Sequence, residues 1–239
     1  MDVERKGAGV KFEVLQEDLD ALLDYSKELG AREAIPINKK DIFYREWVRH
    51  KCGFPNCGAY AVCFQCPPST PRKEETEAAI VPSYEWGVLA VIYSSPEEVG
   101  MQSDGDMVRA YDRESRWSAR INNLVSKIES MALELGYYKA MGFTCGPCTL
   151  CGMWTGKWIT DELARVFSDS FEGEQVTCGP MRGGMCTVHR RARPSGEPCG
   201  IDIIEFIREA GLATDMLIMP EIAPDCVPEC PYYGLVLVG

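Results

Sequence analysis

Apolar residues recur every three or four positions in several stretches of the chain. The clearest pattern covers Asp106–Leu135, where apolar residues at helical spacing are followed by Gly136, a residue suited to end a helix. Similar but shorter patterns cover Asp18–Leu29 and Ile201–Ala210, and each is also followed by a glycine. These stretches predict three amphipathic helices.

Two further helices are predicted from weaker signals. Thr70 offers a side-chain oxygen as an N-cap and Pro71 suits the first helical position, which predicts a helix from there to about Val81. A short helix is also predicted over Trp158–Phe167.

An apolar run over Trp86–Tyr93 predicts a buried strand. Shorter β-branched or aromatic segments predict five more strands: Lys11–Leu15, Ile42–Val48, Tyr137–Phe143, Asp215–Met219 and Tyr232–Val238. Strands mixed with helices predict an α/β or α+β fold, a mixed sheet with flanking helices and cysteine-rich loops. No stretch has the composition of a linker, so we expect one domain over residues 1–239.

The charge balance narrows the classes of function. The chain of 239 residues has a formal net charge of −11, which argues against nucleic-acid binding and against an anionic membrane surface. No apolar run approaches the ~20 residues of a membrane span. The charged N-terminus lacks the apolar core of a signal peptide. We therefore expect a cytoplasmic protein.

The chain contains twelve cysteines and only two histidines, and these residues are its candidate metal ligands. In the reducing cytoplasm, thiols are rarely joined as disulfides, and clustered thiols then indicate metal binding. Any such site must be ligated mainly by sulfur.

The strongest motif is Cys145-Gly-Pro-Cys148-Thr-Leu-Cys151. Three cysteines at this spacing open the ligand run of bacterial ferredoxins, which hold [4Fe–4S] clusters. Thr155 stands where that run has its next cysteine, so the fourth ligand must come from elsewhere. Cys186 is the first choice for it and Cys178 the second. The alternatives are a structural zinc site, for which paired C-x2-C motifs are more usual, and free thiols.

A second group of cysteines ends in Cys66-Pro-Pro, and its other members are Cys52, Cys57 and Cys63. Four thiols this close in sequence can bind one cluster, or one zinc ion with Cys63 as the fourth ligand. A third pair, Cys226-x3-Cys230-Pro, repeats the tail of the ferredoxin run, where the cysteine before proline serves the other cluster. By analogy Cys230 completes the site of Cys52, Cys57 and Cys66. The pair could equally be small buried apolar residues.

Two features near these cysteines are candidates for contact with a cofactor. The basic run from His189 to Arg193 could raise the potential of an anionic cluster, bind an anionic ligand or partner, or form a solvated loop. Trp154 could shield a cluster or be an ordinary core residue. Arg193 and Trp154 are thus the predicted cofactor-binding residues, and the predicted metal ligands are Cys145, Cys148, Cys151, Cys186, Cys52, Cys57, Cys66 and Cys230. The histidines, His50 and His189, each lie two or three residues from a cysteine, but neither spacing distinguishes a ligand from a surface residue.

The order of these elements resembles a family. Cys66-Pro-Pro, the Cys148-x2-Cys151 pair, Cys186 and the segment Arg193-Pro-Ser-Gly-Glu197 are similar to predicted metal-binding proteins of unknown function from anaerobic archaea and bacteria. The resemblance covers about residues 10 to 239. It implies two metal sites, one at Cys52, Cys57 and Cys66, the other at Cys148, Cys151 and Cys186. Cys63, Cys226 and Cys230 are additional to that pattern, and Gly196 stands where the family has a methionine.

Three functions follow as hypotheses. The first is an iron–sulfur protein with two [4Fe–4S] clusters, serving as an electron-transfer or accessory subunit of an anaerobic oxidoreductase, with a redox protein or a larger complex as its partner. The second is an enzyme in which a cluster with an open iron is catalytic. The third is a structural zinc scaffold. No phosphate-binding loop, dinucleotide fingerprint or serine-nucleophile motif is present, so the sequence does not settle whether the protein is an enzyme.

Overall fold

A computed structural model describes residues 15–54, 57, 59–95, 107–151, 178–212 and 229–239. Five α-helices lie in these ranges: α1 (Gln16–Glu28), α2 (Glu46–Gly53), α3 (Lys73–Ile80), α4 (Met107–Glu134) and α5 (Ile203–Glu209). Four strands lie there too: β1 (Glu33–Asn38), β2 (Trp86–Ser94), β3 (Ala140–Phe143) and β4 (Cys230–Val238). Short 3-10 turns follow β1 at Lys39–Asp41 and occupy Gly179–Arg182 and Glu197–Cys199.

The four strands form one sheet in the order β1-β2-β4-β3, and every described pair is antiparallel. Of the two predicted fold classes, the α+β class is therefore confirmed. The α/β class is built on parallel strands joined by helical crossovers, and the described pairs do not have that arrangement.

Side chains alternate along the two central strands and fill a core on each face of the sheet. Val88 and Val236 point to the face covered by α1 and α4. Leu89 and Leu235 point to the opposite face, where Ile80 of α3 and residues of α5 pack. Because both faces are covered, β2 and β4 read as continuous apolar runs rather than as alternating patterns.

Helix α4 lies close against the sheet because two glycines leave room for it. A Cβ added at Gly142 of β3 or at Gly234 of β4 would collide with the side chain of Val125. The close approach buries Ile121, Val125 and Ile128 completely. This packing fixes the end of β3, from which the chain enters the Cys145 loop.

Most of the predicted helices and strands are confirmed. Four elements begin and end within a few residues of their predicted bounds: α1, α4, β2 and β4. The predicted helix 201–210 is α5, two residues shorter at its start. The predicted strand at 137–143 is confirmed only over Ala140–Phe143, since the ring of Tyr137 is buried against Asp18.

Two predictions on the N-terminal half are wrong. Over the predicted strand Ile42–Val48 the backbone makes a single bridge, between Tyr44 and Ile201, and α2 begins at Glu46. Thr70 is not the N-cap of α3, because its hydroxyl accepts a hydrogen bond from Arg49 at 3.0 Å. The cap is Arg72, whose backbone N–H donates to Glu75 at 2.8 Å.

One strand was missed. The segment Glu33–Asn38 contains Pro36 and two polar ends, a composition that argues against a central strand. It forms β1, which pairs only with β2 and is therefore an edge of the described sheet, a position where proline is tolerated. The predicted strands at 11–15 (apart from Leu15) and 215–219, the predicted helix 158–167, Trp154 and Cys226 lie outside the described residues.

Candidate metal centre

Three loops bring most of the described cysteines together. The first loop runs from the end of α2 to residue 71, the second follows β3 to Cys151, and the third begins at Cys178. The backbone N–H of Cys178 donates to Val62 O at 2.9 Å, joining the third loop to the first. The second loop is joined to the first by a hydrogen bond from the backbone N–H of Cys148 to the sulfur of Cys63. The surface that these loops form is called the cysteine face below.

A small apolar cluster lies under the cysteine face. Its buried members are Ala59, Val62, Cys63, Cys66 and Cys148. Cys178, Leu150 and Ala192 pack against it. Three of the five buried side chains in this cluster are therefore thiols.

Cys63 and Cys66 form a hydrogen-bonded pair. The thiol of Cys66 donates to the sulfur of Cys63 and lowers the pKa of Cys63 to about 7, assisted by the backbone N–H groups of Gln65 and Cys148 and opposed by burial. The pKa of Cys66 lies above its usual value, first because of that hydrogen bond and then because of burial. The charges of Cys63, Cys57 and Cys52 raise it further, so all four thiols of the first loop influence one another.

The second group of thiols contains both candidates for the fourth ligand. Burial raises the pKa of Cys148 to about 12, and the charges of Cys63, Cys151 and Cys186 act in the same direction. The pKa of Cys178 is raised by burial and by the same three neighbours. Cys178 thus lies near Cys151, and Cys186 lies near Cys148 and Cys178.

The two C-x2-C elements share a local geometry. In Cys63-x2-Cys66 the backbone N–H of Gln65 donates to the sulfur of Cys63. In Cys148-x2-Cys151 the backbone N–H of Leu150 donates in the same way to the sulfur of Cys148. In both cases the donor lies two residues after the first cysteine. Such bonds stabilise a thiolate, and at a metal centre they tune the bound sulfur.

Cys63 was predicted only as the fourth ligand of the zinc alternative, yet it lies between the two groups. It contacts Cys66 through a hydrogen bond, accepts one from the Cys148 backbone and influences the thiol of Cys178. The C-x2-C spacing to Cys66, the same spacing as in the Cys145–Cys151 run, was the signal in the sequence that could have identified it.

Three other cysteines have different surroundings. Cys145 packs against the core between the sheet and α4, and its charge acts on the hydroxyl of Tyr233. Cys199 is fully buried in the opposite core, where burial raises its pKa to about 12. Cys230 opens β4 and pairs in the ladder with Ser94. That Cys145 and Cys230 are metal ligands stays a prediction.

Arginine side chains fix the loops to the scaffold. Arg49 of α2 donates to Thr70 Oγ1 at 3.0 Å, to Pro71 O at 2.7 Å and to Pro198 O, so it joins the first loop to the 3-10 turn at 197–199. The pKa of Cys52 is raised to about 11, first by burial and then by the charge of Cys57, and Arg49 opposes the shift.

The segment Arg193–Glu197, called the clamp below, holds the start of the second loop in place. Arg193 makes two hydrogen bonds to Glu129 of α4, at 2.5 and 2.8 Å. Backbone bonds then join Thr144 N to Pro194 O at 2.8 Å and Gly196 N to Thr144 O at 2.9 Å. Because Thr144 precedes Cys145, the segment fixes the position at which the cysteine run begins. Arg193 as a cofactor-binding residue stays a prediction.

Glu197 completes the clamp. Its carboxylate accepts hydrogen bonds from Ser195 Oγ at 2.7 Å and from the Tyr233 hydroxyl at 2.6 Å. Burial and the charge of Glu197 together hold the pKa of Tyr233 above its usual range. The carboxylate also acts on Cys52, which places it between β4 and the first loop.

In the described part of the chain, no group of three Cys, His, Asp or Glu side chains is placed to hold a single metal ion. Of the histidines, His50 lies within 4.0 Å of Glu46, and the ring of His189 bonds to Cys186 O through Nδ1 at 3.0 Å. The donors that the region offers are therefore sulfur atoms. Sulfur is the donor that zinc and iron–sulfur clusters take, so the donor chemistry suits either group, whereas the described placement does not assemble three ligands around a single zinc ion.

An open polar groove adjoins the first loop. It has a volume of about 650 Å³. Its lining comes from α2, the first loop and the start of α3, and consists of Glu46, Arg49, Tyr60, Pro68, Thr70, Arg72, Glu74 and Glu75. The groove therefore places both carboxylate and guanidinium side chains beside the cysteine face.

Comparison with known proteins gives one family. The model of the family described as predicted metal-binding protein (DUF2284) matches residues 35–238. No curated protein and no solved structure matches the chain. Within the described residues, no helix is long and apolar enough to cross a membrane. The matched region includes the three cysteine-bearing loops and the clamp, and the chain belongs to this family of predicted metal-binding proteins.

Proposed function

We propose that this protein binds two [4Fe–4S] clusters on the cysteine face and acts in the cytoplasm as an electron-transfer or accessory subunit of an oxidoreductase. The observation that carries the proposal is the convergence of eight cysteines from three loops, with backbone N–H groups donating to the sulfurs that open the two C-x2-C elements.

The first cluster would be held by the first loop. Cys52, Cys57, Cys63 and Cys66 influence one another, and Cys230 remains a further candidate from the sequence. The second cluster would be held by Cys148, Cys151, Cys178 and Cys186, with Cys145 as the candidate that the ferredoxin-like spacing adds.

The raised pKa values of the buried thiols support a bound cation. Burial makes Cys148 and Cys52 costly to ionise when no positive charge faces them. A bound metal supplies that charge and deprotonates its coordinating thiols. Bound clusters supply one-electron chemistry, and the protein's contribution is to hold the sulfurs, to donate backbone hydrogen bonds to them and to exclude water.

The test is the content of iron, acid-labile sulfide and zinc in protein purified without oxygen. We expect about eight irons and eight sulfides per chain, the content of two cubane clusters. Zinc without sulfide would contradict the proposal and leave the structural scaffold.

Serine substitutions locate the second cluster. Cys178→Ser and Cys186→Ser should each lower the iron content, because Cys178 lies near Cys151 and Cys186 lies near Cys148. Cys199→Ala is the matched control, a fully buried cysteine of the opposite core, and should keep the iron of the unmodified protein. If Cys178→Ser keeps all the iron and Cys186→Ser does not, then Cys186 is the fourth ligand.

The groove favours a second candidate function, an enzyme in which one cluster has an open iron. Tyr60 and Pro68 of the first loop line the groove, so a small polar molecule could bind beside the first group of thiols. A search for small molecules that change the spectrum of the reduced protein would test it. A spectrum that no candidate substrate perturbs would leave electron transfer as the function.

A further inference from the structure

Charge is distributed unevenly between the cysteine-bearing segments and the rest of the chain. The chain contains 36 acidic residues, but none of them falls within 51–73, 140–151 or 178–196, the three segments that contribute to the cysteine face. The same segments contain basic residues, which are Lys51, Arg72, Lys73, Arg182, Arg190, Arg191 and Arg193. In a protein with a net charge of −11, these three segments therefore contain no acidic residue of their own, and the acidic groups that adjoin them in the described structure include those of the groove, Glu46, Glu74 and Glu75, and Glu197.

Part of this positive charge is available at the surface. Arg193 is neutralised by Glu129, with which it forms an ion pair. Arg190 is exposed, and the guanidinium of exposed Arg191 donates to the amide oxygen of Asn123, a neutral group, while no carboxylate of the described residues forms an ion pair with either arginine. The ring of His189 is exposed beside them. The third loop thus carries cations that face solvent.

Large apolar side chains are exposed on the same face. Phe54 at the end of α2 is 85% exposed, Phe64 beside Cys63 is 51% exposed, and Met185 beside Cys186 is 87% exposed. Phe64 and Met185 flank the same turn. The backbone of Phe64 bonds to the sulfur of Cys178, and Gly184 N bonds to Gly179 O at 2.9 Å. Exposed aromatic and methionine side chains beside arginines are typical of protein interfaces.

We propose that the cysteine face is a docking surface for an acidic protein. The phenylalanines and Met185 supply the apolar contact, and the arginines at 190 and 191 supply charge complementarity. The acidic charge of the partner is inferred from this surface alone. That the partner is a redox protein rests on the proposed function.

An anionic membrane and a second copy of the chain are the alternatives to an acidic protein as the partner of the cysteine face. The overall charge of −11 opposes approach to an anionic membrane surface. A second copy could bring its own acidic surface. Self-association would hide the surface that we assign to the partner.

The test uses the full chain purified without oxygen and a small acidic ferredoxin as the probe. Binding is measured by titration calorimetry at about 0.1 M salt, where a screening length of about 10 Å suppresses the distant acidic surface but not contacting pairs. Arg190→Glu and Met185→Glu should each weaken the affinity about threefold to tenfold, because each places a negative charge opposite the acidic surface of the partner. Lys40→Glu and Leu133→Glu, exposed positions elsewhere, should leave it unchanged.

Several results would overturn the proposal. One is the absence of binding, and another is an equal loss of affinity in the Lys40→Glu and Arg190→Glu proteins. Binding to vesicles of phosphatidylserine and phosphatidylcholine without binding to ferredoxin would assign the face to membranes. A dimer in sedimentation that Arg190→Glu dissociates would assign it to self-association.

The two proposals fail separately. Metal and sulfide are measured on the same samples. Zinc without sulfide together with an effect of Arg190→Glu would refute the iron–sulfur function and support the docking surface. Eight irons together with no effect of Arg190→Glu would do the reverse.

Discussion

The sheet with its covering helices and the cysteine face are stabilised by different interactions. In the sheet, apolar side chains are buried on both faces, and α4 packs against β3 and β4 over two glycines. On the cysteine face, three of the five buried residues are cysteines, and the loops are joined mainly by hydrogen bonds. The first region resembles an ordinary protein core. The second has little apolar surface to stabilise it.

The difference indicates how the fold and the metal are coupled. Apolar burial stabilises the sheet whether or not a metal is bound, since it depends only on side chains that the chain itself supplies. The cysteine face has only a small buried cluster, three of whose five members are cysteines, so metal–sulfur bonds would add much of the order there. Metal binding should therefore order the face and leave the sheet almost unchanged.

Removal of metal is the strongest test of this contrast. After chelation, amide hydrogens of the loops, such as those of Cys66 and Cys178, should exchange on the order of 100-fold faster or more, because local opening no longer breaks metal–sulfur bonds. Amides of β2 and β4 should change little. Hydrogen-exchange mass spectrometry measures both. Equal loss of protection in the sheet would show that the metal stabilises the whole fold.

A substitution in the sheet core should have the opposite pattern. Ile128→Ala removes a fully buried side chain from the face of α4 that packs against the sheet. This change should lower the free energy of unfolding by about 3 kcal/mol. The folded protein should keep its metal. Leu133→Ala on the same helix is the control, because Leu133 is 49% exposed, and should change stability by about 0.5 kcal/mol at most. Urea denaturation gives both values. Metal loss from folded Ile128→Ala protein would contradict the separation of the two regions.

The clamp at Arg193 joins the two regions, and its role can be tested. Arg193→Met removes the ion pair with Glu129 and leaves that carboxylate largely buried with the Gly142 N–H as a partner, which should cost about 2 kcal/mol. The Glu129→Gln and Arg193→Met pair allows a double-mutant cycle, in which the two effects should not add. Unchanged stability with a lower iron content would instead support the prediction that Arg193 contacts the cofactor.

The smallest expected effect is that of alkaline pH on the junction of α1 with the segment before β3. The Tyr137 hydroxyl donates to Asp18 at 2.6 Å, and burial together with this bond raises the pKa of Tyr137 to about 12. The protonated form is favoured in the folded state, so its contribution is complete below about pH 10 and is lost as pH rises toward 12. Tyr137→Phe should cost about 1 kcal/mol at neutral pH and reduce the fall in stability above pH 10. Urea denaturation at pH 8 and pH 11 measures the difference. An identical alkaline fall in both proteins would exclude Tyr137 as its source.

The regular pattern of apolar residues was enough to predict the elements that form the scaffold. Helix α4 and strand β2 were predicted because their periodicity reflects burial on one or both faces. Strand β1 was not, because an edge strand with Pro36 carries little of that signal. The segment around Tyr44 was misread as a strand, since aromatic and β-branched residues also fill cores without pairing in a sheet.

For the candidate site, the sequence predicted thiol ligands, and the structure decided which of these thiols are neighbours. Spacing led to the prediction of ligands in the Cys145–Cys151 run and the first loop, because ligand motifs are local in sequence. The approach of Cys178 to Cys151 joins positions that are 27 residues apart, and the position of Cys63 between the two groups depends on loops more than 80 residues apart in the chain. Contacts of that kind are set by how the sheet and α4 position the ends of the loops, which no local pattern of residues records.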